Sequence, residues 1–238
     1  MNDATIGQLL GLRYVLTMEI IDVDIPEHCD LTFARLLKAL NIRHIDYIGH
    51  VGLSKGTCDA IKCLDATLNL TLHGRIGQLA SLIYAPPLHR LDIANTGIHT
   101  GDTWLFAPLR RRTVKLHELI CTPARGQASG KTLLVLPVVA LTLVKGTFGK
   151  IATHALALNL HIASLTLITV PLRREWVQTL LGMVMLETLT ITDPQSIWIR
   201  SPTDIDKKVP TLKIDQEWID GTLKPIALRS DIEVIFNA

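Results

Sequence analysis

Apolar positions along the chain recur in a short pattern: apolar, two residues, apolar, one residue, apolar. It reads Leu88-His89-Arg90-Leu91-Asp92-Ile93, Val138-Val139-Ala140-Leu141-Thr142-Leu143 and Ile162-Ala163-Ser164-Leu165-Thr166-Leu167. Two more copies are Leu186-Glu187-Thr188-Leu189-Thr190-Ile191 and Val209-Pro210-Thr211-Leu212-Lys213-Ile214. Looser copies occupy residues 42–47, 67–72, 111–116 and 229–234. The fourth positions are Ile45, Leu70, Leu91, Val114, Leu141, Leu165, Leu189, Leu212 and Ile232, separated by 20 to 27 residues. Each copy alternates as a strand does, with its apolar side chains on one face. The intervening segments fit helices. Asp30 opens one whose face is Phe33, Leu36, Leu37 and Leu40, at i, i+3, i+4, i+7 spacing, and Ser54 opens a second with Cys58, Ile61 and Leu64. Further helices are predicted over residues 103–109, 150–158 and 174–184, with a Pro/Gly/Ser-containing loop over 121–131 and irregular chain over 193–210.

A strand motif returning at 20 to 29 residues is the mark of a leucine-rich repeat. Over residues 40–236 the chain resembles that family, closest to its ribonuclease-inhibitor-like branch. The resemblance implies an α/β fold: a solenoid with a parallel concave sheet and helices or irregular turns on the convex side. It implies an N-terminal capping unit over 1–40 and one continuous repeat domain over 41–238. The family carries Asn or Cys shortly after the third apolar position. Here those places hold His50, Arg75, Thr96, Leu119, Gly146, Val170, Pro194 and Glu217, so no Asn ladder is expected. Residues 4–24, with Leu16, Met18 and Ile20 alternating, are expected to form a first strand or cap. The run Ile232-Glu233-Val234-Ile235-Phe236 is expected to be an edge strand, covered by another chain.

One repeat cannot bury its apolar strand face, but stacked repeats can, and the residues between the apolar positions then project onto the opposite wall. Read strand by strand, that wall begins His44/Asp46/Ile48, Asn69/Thr71/His73, Arg90/Asp92/Ala94 and Thr113/Lys115/His117. It continues Ala140/Thr142/Val144, Ser164/Thr166/Ile168, Thr188/Thr190/Thr192, Thr211/Lys213/Asp215 and Asp231/Glu233/Ile235. A charged, His-bearing flank beside a small, Thr-rich centre suits a protein partner, although Thr is also simply a good strand former on a solvated face. The partner-binding candidates are therefore His44, Asp46, His73, Arg90, Asp92, Lys115, His117, Thr142, Val144, Thr166, Ile168 and Thr190.

Composition narrows the classes. The 238 residues are 48% hydrophobic, 5% aromatic and 19% charged, with net charge +2. Disorder is excluded, and nucleic acid is disfavoured as the main partner because the basic excess is small. Mean hydropathy is +0.31, yet the apolar stretch 132–144 holds Pro137 and is short of a span, and 151–172 contains His154, Asn159 and His161. Cys29, Cys58, Cys63 and Cys121 match no zinc or disulfide framework and are expected as buried free thiols. With no secretory or transit signature in residues 1–5, an intracellular protein, cytoplasmic or nuclear, is expected.

Chemical motifs are weak. Gly126-Gln127-Ala128-Ser129-Gly130-Lys131-Thr132 resembles a phosphate-binding loop, but its first interval is one residue short, and a strand is expected from Leu133 on. His73 and His117 share a column but would lie roughly 10 Å apart, too far for one metal ion. Arg110, Arg111, Arg112 and Lys115 form a basic cluster that fits a helix end. Trp104 and Trp176 are expected in the convex core, while Trp198 and Trp218 are candidate exposed anchors. No catalytic constellation, metal or cofactor is assigned. The expected function is non-enzymatic protein binding, as an adaptor or subunit. The alternatives are a nucleotide-dependent enzyme using residues 126–132, or a membrane-associated protein.

Overall fold

A computed structural model describes residues 16–21, 30–40, 42–49, 55–74, 88–102, 116–172, 174–192 and 233–237, with the single positions Gln8 and Phe106. The chain divides into two compact units at Gly97 and Ile98. The first contains β1 (Thr17–Ile21), α1 (Asp30–Ala39), β2 (His44–Gly49), α2 (Lys55–Lys62), β3 (Thr67–His73) and β4 (Leu88–Asn95). Its strands pair in parallel and in sequence order. α1 buries Phe33, Leu36 and Leu37, with Leu40 just beyond its end, the face its spacing predicts. α2 buries Ile61, leaves Leu64 half-buried, and carries Lys62 in its last turn, where a cation complements the helix dipole.

Residues 16–21 supply a full strand. Ile20 is buried and pairs with Tyr47, while Leu16 is 61% exposed. Register in this unit departs from the expected copies. Ile45 lies opposite Leu68, and Tyr47 opposite Leu70, which in turn faces Leu91. Tyr47, not Ile45, therefore occupies the repeating fourth position. In β3 the buried Leu68, Leu70 and Leu72 alternate strictly, and a two-residue slide keeps every side chain on its face, so the pattern alone cannot choose between registers.

The second unit takes up β5 (Leu116–Cys121) from His117 and continues through α3 (Gln127–Val135), β6 (Val138–Val144), α4 (Lys150–Ala157), β7 (Ser164–Ile168), α5 (Arg174–Leu180), β8 (Thr188–Thr192) and β9 (Glu233–Asn237). β6 to β9 are parallel in sequence order. Leu141, Leu165 and Leu189 lie in one row of the core, as do Leu143, Leu167 and Ile191.

Four expectations are corrected. The fourth copy lies five residues later than residues 111–116. Leu116-His117-Glu118-Leu119-Ile120-Cys121 is itself a complete motif, with Leu116, Leu119 and Cys121 buried. At the C-terminal end, Val234 rather than Ile232 faces Leu189, and β8 pairs directly with β9; the copy at 209–214 lies outside the described residues. Residues 193–232 lie outside the described residues. Third, residues 127–135 are helical where a loop and then a strand were predicted. Ser129, Gly130 and Thr132 are buried, and a Cβ on Gly130 would sit 2.6 Å from Ile151 Cγ2. That close helix–helix approach makes glycine useful in a helix it would otherwise weaken. Last, α5 ends at Leu180 rather than near 184, just before Gly182.

Strand ends repeat one backbone turn. Gly74, Lys145 and Thr169 have φ of 65°, 56° and 53°. Their N–H groups donate to the carbonyls of Asn95, Ile168 and Thr192, at 3.0, 2.8 and 3.1 Å, extending the ladder one residue beyond each strand. At the other end of the second unit's strands, the fully buried Asn159 amide donates to the carbonyls of Leu133 (2.7 Å) and Leu136 (3.1 Å). Its Oδ1 accepts from the N–H groups of His161 (2.7 Å) and Ile162 (3.3 Å). One side chain thus ties the turn before β7 to the turn before β6.

Candidate interaction face

The face of each sheet opposite the buried leucines carries the candidate residues. In the second unit the strand register aligns Thr142, Thr166 and Thr190, continued by Ile235 of β9. The neighbouring rows are Val144, Ile168, Thr192 and Asn237, and Ala140, Ser164, Thr188 and Glu233. From β6 to β8 every one of these side chains is half-buried. Neighbouring strands lie about 4.8 Å apart, so each row presents a step of small side chains at that interval. Hydroxyl and methyl groups alternate there without carboxylate, imidazole or thiol until Glu233, so the surface can pack and hydrogen-bond but offers no acid–base pair. Thr142, Val144, Thr166, Ile168 and Thr190, five predicted candidates, are brought together.

In the first unit, the rows read Thr17–His44–Thr67, then Glu19–Asp46–Asn69–Arg90, then Ile21–Ile48–Thr71–Asp92. Asp46 and Arg90 flank Asn69, whose Nδ2 donates to Asp46 Oδ1 at 2.7 Å. Asp92 accepts from the Ala94 N–H at 3.1 Å, which anchors its carboxylate beside the chain. His44 is exposed, and His73 pairs with Asn95 across β3 and β4. The register breaks between Leu68 and Asn69 and again between Thr71 and His73. Expected rows that set Asp46 beside Thr71, and Asn69 in line with His44, are therefore replaced by those above. The sequence reading did not assign wall positions to Thr17, Glu19 and Ile21, because residues 4–24 carried only an apolar alternation.

On β5, His117 is exposed and stands one place before the first outward position rather than in the third column, and the outward positions are Glu118 and Ile120. Lys115 and Thr113 lie outside the described residues, as do Arg110, Arg111, Arg112, Trp104, Trp198 and Trp218. The shared column of His73 and His117 is not formed in this strand frame. Among the described residues no group of three or more His, Cys, Asp or Glu side chains is placed to hold a metal ion. Cys121 is buried as expected, but Cys63 is exposed.

Ser129, Gly130 and Thr132 of residues 126–132 are engaged in packing. Within α3 the Gly130 N–H donates to the Gly126 carbonyl at 3.2 Å, and the Ser129 hydroxyl bonds that of Thr100 in the interior. The Thr100 hydroxyl also accepts from the Ala124 N–H at 3.0 Å. Only Lys131 of the Gly-Lys-Thr group is exposed. The Gly130 N–H and the Ser129 hydroxyl are thus held within the fold, and the segment lacks the strand-to-helix Gly-x-x-x-x-Gly-Lys spacing of a phosphate cradle. Trp176 is half-buried and meets Phe148 edge to face, with centroids 6.0 Å apart. Asn159 and the Thr100–Ser129 pair escaped the sequence reading. A lone amide between Leu158 and Leu160 was the available signal, since a polar residue in an apolar run must find partners when buried.

No helix among the described residues is long and apolar enough to cross a membrane. No family model matches the chain, and no curated protein matches it.

Proposed function

We propose that the protein is a non-enzymatic, leucine-rich-repeat-type module that binds a protein partner on the open sheet face of its second unit, as an adaptor or a subunit of a larger assembly. The observation that carries this reading is the aligned row Thr142–Thr166–Thr190 beside Val144–Ile168. Three parallel strands hold it in unbroken register, so a partner meets a preorganised surface and loses little to ordering it. Small side chains admit close approach of a partner's larger anchors.

The test is affinity purification from the native cells with wild-type protein and with Thr142→Arg/Thr166→Arg. The double variant replaces half-buried, outward-facing side chains, so its thermal midpoint should stay close to wild type while the stoichiometric co-eluting protein is lost. A partner retained at wild-type yield by the folded double variant contradicts the proposed face.

A further inference from the structure

The second unit also carries an apolar ridge at the opposite pole from its strand-end turns. Where helices hand over to strands, Leu134 and Val135 at the end of α3 are 39% and 42% exposed. Leu158 and Leu160 after α4 are 67% and 63% exposed, and Val184 after α5 is 63% exposed. Leu160 and Val184 each stand four residues before register partners, Ser164 and Thr188, so they occupy equivalent places in successive repeats. α3 packs on α4 and α4 on α5, which makes the ridge continuous from repeat to repeat. Soluble surfaces carry single exposed leucines without consequence, but a periodic row of them marks a contact.

Charge says what kind. From Leu119 to Arg174 the sequence holds six Lys or Arg residues and no Asp or Glu. On α3, exposed Lys131 precedes Leu134 and Val135 by three and four positions, which places it about one turn, roughly 5.4 Å, behind the apolar tip. On α4, exposed His154 precedes Leu158 by four positions and exposed Lys150 by eight, about one and two turns or roughly 6 and 12 Å behind it. The exposed Glu187 lies at the far end of the ridge, beyond Val184. We infer that this ridge docks on an anionic lipid surface: Leu134, Val135, Leu158 and Leu160 enter the headgroup–acyl boundary while Lys131 and Lys150 meet lipid phosphates. Interfacial contacts bury apolar side chains roughly 5–10 Å deep and keep cations at headgroup level, which is the order of groups along these two helices. A second copy of the chain would bring like charges together and is disfavoured. This surface is separate from the threonine rows, and the inference stands whether or not those rows bind a protein.

The experiment is co-sedimentation of the full chain with phosphatidylcholine vesicles, with and without phosphatidylserine. Wild type is expected to sediment with the serine-containing vesicles only, and to be released as salt rises. Leu158→Gln/Leu160→Gln and, separately, Lys131→Glu/Lys150→Glu are each expected to weaken binding about tenfold. All four side chains are exposed, so circular dichroism and thermal midpoints should match wild type. Wild type remaining in the supernatant with serine-containing vesicles overturns the proposal. So does binding that neither folded variant reduces, and so does loss of a co-purifying acidic protein by Leu158→Gln/Leu160→Gln without any vesicle binding.

Discussion

The two units solve the same stacking problem with different regularity. In the second, Leu141, Leu165 and Leu189 recur at equal intervals and β6 to β9 pair without a break. In the first, the corresponding row is Tyr47, Leu70 and Leu91, the intervals are unequal, and β3 and β4 slip twice. From β6 to β8 the regular unit presents uncharged Ala, Thr, Ser, Val and Ile at its open face, whereas the irregular one presents Glu19, Asp46, Arg90 and Asp92. Equal repeat length lets each hydrogen bond and each side-chain contact recur, so local interlocks such as Asn159 can form in a fixed frame. Unequal length is absorbed by the two register shifts between β3 and β4, which move side chains along the wall.

That contrast predicts where substitutions hurt. Asn159→Ala should be the most damaging, at about 4 kcal/mol by chemical denaturation, because it strands two carbonyls and two N–H groups in the interior. A loss below about 1 kcal/mol would mean the amide does not interlock the repeats. Gly146 and Gly97 sharpen the comparison, since both have φ of 75°. A Cβ on Gly146 would lie 2.5 Å from the Pro123 carbonyl oxygen, while one on Gly97 meets nothing within 4 Å. Gly146→Ala should therefore cost about 3 kcal/mol, conformational strain plus a clash, and Gly97→Ala about 1 kcal/mol from strain alone. Equal losses would remove the packing difference between the two turns. Asn69→Ala should cost about 1 kcal/mol, the value of one half-buried hydrogen bond to a carboxylate. Smallest is a gain: Thr169→Gly relieves a β-branched residue at φ 53° and should stabilise by about 0.5 kcal/mol, the strain relieved being partly offset by a more flexible unfolded chain.

Legibility followed the same division. The motif with a two-residue gap, as in Val138-Val139-Ala140-Leu141-Thr142-Leu143, breaks the period of two and therefore marks one register; the rows of β6, β7 and β8 were readable before any coordinates. Where alternation is strict, as at Leu68, Leu70 and Leu72, faces are legible but register is not: β2 lies two residues from its expected place against β3, while Asn69 opposite Arg90 and Thr71 opposite Asp92 are as expected. The strand at 116–121 was displaced because residues 111–116 fit the pattern loosely and were accepted before the better copy that follows. Helix α3 was hidden by Gly126, Ser129, Gly130 and Pro137, which locally read as a turn. Its stability comes from partners remote in sequence, Ile151 and Thr100. The exposed ridge at Leu158 and Leu160 was hidden for a related reason: apolar residues were all assigned to the core, and only the fold separates those facing inward from those facing out.

The most direct test of the central claim places a photocrosslinking side chain at Thr166 in the second unit or at His44 in the first, in cells that express the protein. The account predicts that the Thr166 probe captures a discrete protein, and that Thr142→Arg in the same chain abolishes the capture. A discrete partner captured only from His44, with Thr166 silent, would contradict it and move the binding face to the charged unit.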